Sequence, residues 1–256
     1  MDIQDKLKHE LILSDDKVYY SDTNFVTNSM LSLLNKSPQH LQRMLEGHKE
    51  ESSALNFGKA FHTIVLEPEK FETDIAVFEG KTRRGKVWEE FKEKNEGITI
   101  ITEAEYKKIL DMRKHLVTPD ESYEFIENST HEVVNVWNTL NINCKGKVDC
   151  VYDSNDKKIL IDVKTTQDAS PDAFRRSAYK YGYHRQAAFY TDGMGADEFW
   201  FAVVEKEAPY RTGLYKASDE FLNNGRIEIS KLMEKYREYF IDKEKSIKEF
   251  YFKEEL

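Results

Sequence analysis

The sequence holds few thiols, no long apolar run and no excess of positive charge. Its two cysteines, Cys144 and Cys150, are too few for a four-cysteine iron–sulfur cluster. They lie six residues apart in what reads as one strand, where a disulfide between them is geometrically unfavourable. Their even spacing puts both on one face, as two buried thiols. No segment reaches the roughly 20 apolar residues that span a membrane. Met1 to Glu10 is charged throughout and lacks the apolar centre of a signal peptide, so the expectation is a cytoplasmic protein with no membrane partner. Positive charge is outnumbered, with 38 Lys and Arg against 47 Asp and Glu and a net charge of −9. That argues against a protein that coats DNA over its whole surface, but it leaves room for a local basic track. Internal repeats and low-complexity linkers are absent as well.

What is present suffices for one domain over the full 256 residues. A mainly helical portion is expected over about 1–128, a sheet core over about 129–216 and a C-terminal helix over about 218–256. Asn28-Ser29 precedes an apolar cluster at Met30, Leu31, Leu33 and Leu34, and Pro38 starts a second short helix through Leu45. In residues 52–66, Ala54, Leu55, Gly58, Phe61, His62 and Val65 share one helix face. Helical pattern returns at Val87–Lys94 and Glu103–Leu116. Strand patterns follow at Thr130–Asn138, Asn143–Tyr152 and Lys158–Lys164, with turn residues at 153–156. Two helices, two more strands and a final helix opened by Ser218 complete the chain. The order implies an α/β (mixed α+β) fold, a mixed sheet flanked by helices.

The chemistry concentrates in Ile161-Asp162-Val163-Lys164. Alternate residues of a strand point to the same face, so Asp162 and Lys164 project together. Asp149 sits in the preceding strand, and the short turn makes the two strands a hairpin, with Asp149 and Asp162 as cross-strand neighbours. Two carboxylates so close repel unless a cation lies between them. Oxygen ligands of this kind suit Mg²⁺ or Mn²⁺, and an adjacent lysine can stabilise charge growing on a phosphoryl group. His62 is either a satisfied core histidine or a further ligand. Glu132 is either a ligand or a surface acid on an edge strand. Positive charge clusters at Lys81–Lys86, with Arg83 and Arg84 between them, and at Arg175, Arg176, Lys180 and Arg185. Each cluster is a solvated surface or a track for the DNA backbone. Phe250-Tyr251-Phe252 reads as a helix end packing on its own chain, or as a docking point for a partner.

Several segments together resemble a known family. Asp149 followed by Asp162-Val163-Lys164 resembles the PD-(D/E)XK nuclease core. Gly58-Lys59-Ala60-Phe61-His62, Leu66-Glu67-Pro68-Glu69-Lys70-Phe71, Cys144–Asp149, Asp162–Ser170 and Tyr181–Tyr190 resemble, in the same order, RecE-type (exodeoxyribonuclease VIII-like) exonucleases of the RecB-like group. With the Asn28–Leu31 and Ser37-Pro38 pieces, the resemblance spans roughly residues 18–205. It implies a restriction-endonuclease-like fold and a metal held by His62, Asp149, Asp162 and the backbone carbonyl of Val163. It also implies a catalytic Lys164, with Gln186 and Tyr190 beside the site one helical turn apart; for Tyr190 the alternative is core packing. The activity implied is Mg²⁺-dependent 5′-to-3′ digestion of linear double-stranded DNA. The 3′ tails left behind would serve phage-type recombination through a single-strand annealing protein. A homo-oligomeric ring around the DNA end is implied too. Other readings are a structure-specific or repair endonuclease on the same core, and a non-catalytic DNA-binding protein.

Overall fold

Apolar residues at helical spacing build most of the first half of the chain, and its first four helices are each opened by a side-chain cap. The computed structural model describes residues 9–10, 12, 14–48, 52–80, 82–117, 120–154 and 156–252. Helix α1 (Asp16–Ser21) is capped by Asp15, α2 (Asn28–Lys36) by Thr27, α3 (Pro38–Leu45) by Ser37 and α4 (Ser53–Leu66) by Ser52. In each case a side-chain oxygen accepts from backbone N–H groups that would otherwise lack partners. Helix α5 (Phe71–Asp74) leads to strand β1 (Ile75–Phe78), then α6 (Lys86–Lys94), β2 (Thr99–Thr102), α7 (Glu103–Leu116) and α8 (Asp120–Glu127). Strands β1 and β2 pair in parallel as a separate two-stranded sheet. The expected mainly helical portion therefore contains a small sheet, whose four-residue strands are too short to show a period.

The main sheet has five strands: β3 (Thr130–Thr139), β4 (Ile142–Asp153), β5 (Lys158–Thr166), β6 (Glu198–Glu205) and β7 (Thr212–Lys216), in spatial order β3-β4-β5-β6-β7. All neighbours are antiparallel except β5 and β6. That parallel pair needs a crossover, supplied by α9 (Pro171–Lys180) and α10 (Tyr183–Met194). Helix α11 (Asp219–Tyr236) follows the sheet. Phe61, Ile64, Ile109 and Met112 cover one face, packed on Ile161, Val163 and Ala202. Phe174, Ala187 and Ala188 cover the other, on Leu160, Phe199 and Phe201. Helices thus flank a mixed sheet, as the element order implied. The final helix is shorter than expected. It stops at Tyr236 and passes through a π turn at Arg237–Ile241. Beyond that turn Asp242-Lys243-Glu244-Lys245 offers no apolar stripe to pack. Phe250 lies beside Lys235 and Tyr239, while Tyr251 and Phe252 are exposed.

Two irregularities of β4 make room for the site. Val148 and Cys150, two residues apart, pack on opposite faces of the sheet, and so do their partners Val133 and His131 on β3. The alternation breaks between them at Asp149, opposite Glu132, whose backbone takes the left-handed φ of 52°. Cys144 and Cys150 therefore do not share a face. Cys144 packs with Leu31 and Phe189, and Cys150 with Ile161. Both are buried free thiols. Secondly, β5 pairs with β4 only from Cys150 to Asp153. At its other end, β4 is bridged on that edge by Val26, whose N–H donates to the Asn143 carbonyl at 2.8 Å and whose carbonyl accepts from the Lys145 N–H at 3.0 Å. Among the described residues, the edge between these two pairings is open. It is there that Asp149 stands.

Candidate active site

The hairpin register places Asp149 opposite Asp162, one step beyond the last ladder pair, Cys150 with Ile161. Where the strands part, the Asp149 carboxylate takes over a backbone role. Its Oδ2 accepts from the Val163 N–H at 2.8 Å. The N–H and carbonyl of one strand residue point to the same edge, so the Val163 carbonyl also faces the opening. Helix α4 brings His62 to the same point, with Nδ1 3.3 Å from Asp149 Oδ2. Asp162 lies deeper, 2 % exposed. Its Oδ1 accepts from Gln186 Nε2 at 2.6 Å, and its Oδ2 lies 2.5 Å from Lys164 Nζ. The strand-parity argument for Asp162 and Lys164 thus agrees with the geometry, and Gln186 on α10 reaches the same carboxylate.

The electrostatics separate the two acids. Burial, partly offset by the Lys164 ammonium and reinforced by Asp149, pushes the Asp162 carboxyl up to about 6. Burial also opposes ionisation of Asp149, but His62, Lys164 and the Val163 N–H outweigh it, and its pKa falls. Burial disfavours the His62 imidazolium, yet Asp149 overcomes that and raises its pKa. Burial likewise works against the Lys164 charge, and the Asp162 and Asp149 carboxylates overcome it. One carboxylate is thus held ionised while its neighbour is poised to exchange a proton near neutrality, a division of roles typical of reactive sites.

The donor set fits a hard divalent cation. His62, Glu132 and Asp149 each offer a ligand atom, and these atoms lie within 4.8 Å of one another. Apart from the lysine contact, buried Asp162 Oδ2 receives no well-formed hydrogen bond, which leaves an oxygen to be completed. Glu132, undecided from the sequence, is drawn inward. Its left-handed backbone breaks the strand beside Asp149, and its carboxylate, raised in pKa first by burial and then by Asp149, meets Lys147 Nζ at 2.7 Å. Mostly oxygen donors with one imidazole suit Mg²⁺ or Mn²⁺.

Other expected residues are distributed unevenly. Tyr190 is half-buried, its ring lying against the backbone of Gly146, where an added Cβ would meet Tyr190 Cε1 at 2.7 Å. It serves both as packing and as a wall near the acids, for Asp162 and Asp149, after burial itself, are among the groups that raise its pKa. Arg185 is a correction. It is 2 % exposed and donates to Glu228, Ser32 and Asn28, so it ties α10 to α2 and α11 and offers nothing to DNA. Arg83 is half-buried in a pair with Glu105. Arg84, Lys86, Arg175 and Arg176 are exposed; Lys81 lies outside the described residues.

Two participants were not anticipated. Lys147 bridges Glu132 and Asp16 of α1, each at 2.7 Å. It stands two residues before Asp149, the same spacing that paired Asp162 with Lys164. Tyr183 lies with its ring centroid 4.9 Å from Lys164 Nζ. Its place one helical turn before Gln186 could have marked it.

A family model described as a PDDEXK-like domain of unknown function (DUF3799) matches residues 27–248. No curated protein matches the chain. Among solved structures, a candidate exonuclease from Eubacterium rectale superposes with a TM-score of 0.60 at 15 % identity, covering 93 % of this chain and 94 % of the other. A second, SSO0001, reaches a TM-score of 0.40 at 13 % identity, covering 89 % and 87 %, and is too distant to carry an argument. The likeness to the first shows the fold. Among the described residues no helix is long and apolar enough to cross a membrane.

Proposed function

This chain belongs to the family of PDDEXK-like domains of unknown function, and from that premise we propose that it is a divalent-metal-dependent nuclease that digests linear double-stranded DNA from its ends. The observation that carries the reading is the buried Asp162, held by Gln186 and Lys164, facing a second acid and an imidazole across a deliberate opening of the sheet. A binding protein gains nothing from concentrating repelling carboxylates in this way.

His62, Glu132, Asp149, Asp162 and the Val163 carbonyl would hold the metal. A bound Mg²⁺ or Mn²⁺ supplies Lewis acidity toward the phosphoryl group and a lowered pKa for water. The remaining work belongs to the side chains. Lys164 presents an ammonium where negative charge grows on the phosphoryl oxygens, and in a poorly solvated site that charge acts strongly. Asp162 fixes the ammonium, Gln186 fixes Asp162, and the Tyr183 ring limits where the lysine can swing. Lys147 pairs with Glu132 and Asp16 and would add positive charge beside the metal ligands.

Polarity is taken as 5′-to-3′, leaving 3′ single-stranded tails for a single-strand annealing protein, with the chain working as a homo-oligomeric ring. These elements rest on the RecE-type resemblance of His62, Asp149, Asp162-Val163-Lys164 and Gln186. The test is digestion of end-labelled linear duplex with Mg²⁺, in parallel with Asp162→Asn and Lys164→Ala. The parent should release the 5′ label first, and both variants should be inactive. Variants as active as the parent would remove the site assignment. A 3′ label released first would reverse the polarity. Cleavage confined to nicked circles or branched DNA would make the protein a structure-specific endonuclease.

A further inference from the structure

The junction between α9 and α10 carries an aromatic series that runs past Tyr183, beside Lys164, to an outer ring that the metal site does not use. It begins in the core, where Phe174 and Phe201 lie 5.6 Å apart. Tyr183 stacks on Phe201 at 5.7 Å and 28°, so its ring is fixed from behind. Its centroid is 4.9 Å from Lys164 Nζ. The next ring outward is Tyr181, 6.0 Å from Tyr183 and tilted by 36°. Tyr181 is 59 % exposed. Lys180 Nζ stands 5.5 Å from its centroid. A ring this exposed on the rim of a site, backed by three buried or half-buried rings, contributes little to the core.

We infer that Tyr181, backed by Tyr183, is a stacking platform for an unpaired base of the strand being cut, and that Lys180 pairs with the adjoining phosphate. The inference rests on the nuclease reading of the Asp162–Lys164 site and adds a positioning element to it. Three points favour an unpaired base. Tyr183 stands 4.9 Å from Lys164 Nζ and 6.0 Å from Tyr181, so a strand whose phosphate reaches the lysine has the Tyr181 ring close by. An aromatic face recognises the face of a base, which a paired duplex hides and a frayed or single strand exposes. The Lys180 ammonium lies over the ring at 5.5 Å; on its flexible stem it would yield that face to the base and turn to the accompanying phosphate, the arrangement by which single strands are gripped without sequence preference. Stacking there would set the register of the scissile phosphate against Lys164, which makes Tyr181 a positioning residue.

The test uses the full chain carrying Asp162→Asn, so that substrate is not consumed, and single-stranded oligonucleotides with 2-aminopurine placed at successive positions. Binding is read by anisotropy and stacking by quenching of the 2-aminopurine emission. One position should be quenched by the Tyr181-containing protein. Tyr181→Ala should abolish that quenching and weaken binding about 5- to 150-fold, the range to which ~1–3 kcal/mol of base stacking converts; Tyr181→Phe should restore both. In the active chain Tyr181→Ala should raise KM and also lower kcat, because a strand out of register presents its phosphate poorly to Lys164, and Tyr181→Phe should restore both. Because Tyr181 is exposed, its alanine variant should melt as the parent does. Equal quenching and affinity for Tyr181→Ala and its parent would overturn the inference. So would a loss that phenylalanine does not restore. Failure of the nuclease reading would show separately, as absence of metal-dependent cleavage by the parent, whatever the stacking signal.

Discussion

Lys145 and Lys164 are two inward-facing lysines on neighbouring strands, and they are held in opposite ways. Lys145 is 1 % exposed and, among the described residues, makes no ion pair, although the Asp22 charge acts on its ammonium. It donates to the carbonyls of Tyr19 and Asp22 at 2.5 and 2.6 Å and lies 4.5 Å from the Tyr19 ring centroid. Burial dominates there and its pKa is lowered. Lys164 faces Asp162 and Asp149, which overcome burial and raise its pKa. A buried charge satisfied by neutral dipoles is a structural pin; Lys145 fastens the C-terminal end of α1 to β4. A buried charge set against two acids is an arrangement whose components can exchange partners. The difference between a pin and a reactive group therefore lies in the partners, and not in the depth of burial.

The comparison is broken most directly by removing each charge at nearly constant volume. Lys164→Met is expected to lower the rate of linear-duplex digestion by a factor of about 100 or more, the scale of losing one charged group aimed at the transition state. Lys145→Met is expected to keep the rate within about tenfold and to lose roughly 1–3 kcal/mol of stability in urea, since two carbonyls are left without their donor. If Lys145→Met lost as much activity as Lys164→Met at a temperature where it is folded, the pin would have to be counted as part of the site.

How far these roles were legible follows from how local they are. Asp162 and Lys164 share a strand, and parity alone joined them. Asp149 needed one turn more, and the hairpin supplied it. His62, from α4, is brought in by packing between distant segments, so only its family context singled it out. Glu132 was ambiguous because its role depends on a left-handed backbone angle that pattern does not reveal. Arg185 was misread for a general reason. A cluster of basic letters reports charge and not exposure, and α10 turns Arg185 inward toward Glu228 while α9 turns Arg175 and Arg176 outward. The two-residue parity that found Lys164 would also have found Lys147, but nothing local indicated that Asp16 would close the other side of it. The same parity failed for Cys144 and Cys150, because the pleat is interrupted at the site itself.

A smaller effect sharpens the contrast between the two acids. Asp162 has a folded-state pKa of about 6, above the ~3.9 of an unfolded aspartate. Stability linked to it is fully present below about pH 4 and is lost as pH rises through about 6. In chelator-treated protein this group should therefore lower the unfolding free energy across that interval, by ~3 kcal/mol at most. Asp149 has the opposite sign, because its folded-state pKa is lowered; its contribution is present above the unfolded value and is lost as pH falls. The parent curve minus the Asp162→Asn curve isolates the first contribution. A difference that stays flat from pH 4 to 7 would mean that Asp162 is ionised throughout, and the assignment of the two acids to different protonation states would fail.

The smallest expected effect concerns the arginines, where the distinction between pin and contact recurs at the surface. Arg175 is exposed and paired only loosely, 3.3 Å from an equally exposed Asp172, and Arg176 is exposed beside it. If this pair tracks the DNA backbone, converting both to Gln weakens binding without regard to sequence. It should also flatten the slope of log affinity against log salt by about 0.9 for each phosphate contact removed. Stability should stay within ~0.5 kcal/mol of the parent, as for most surface changes. Arg185→Gln should do the reverse. It strips Glu228 and Ser32 of buried partners, lowering the urea midpoint while the salt slope of the folded protein stays unchanged. An unaltered slope for the Arg175 and Arg176 double variant would remove α9 from the DNA path and leave Lys180, beside Tyr181, as the basic residue of that junction to test next.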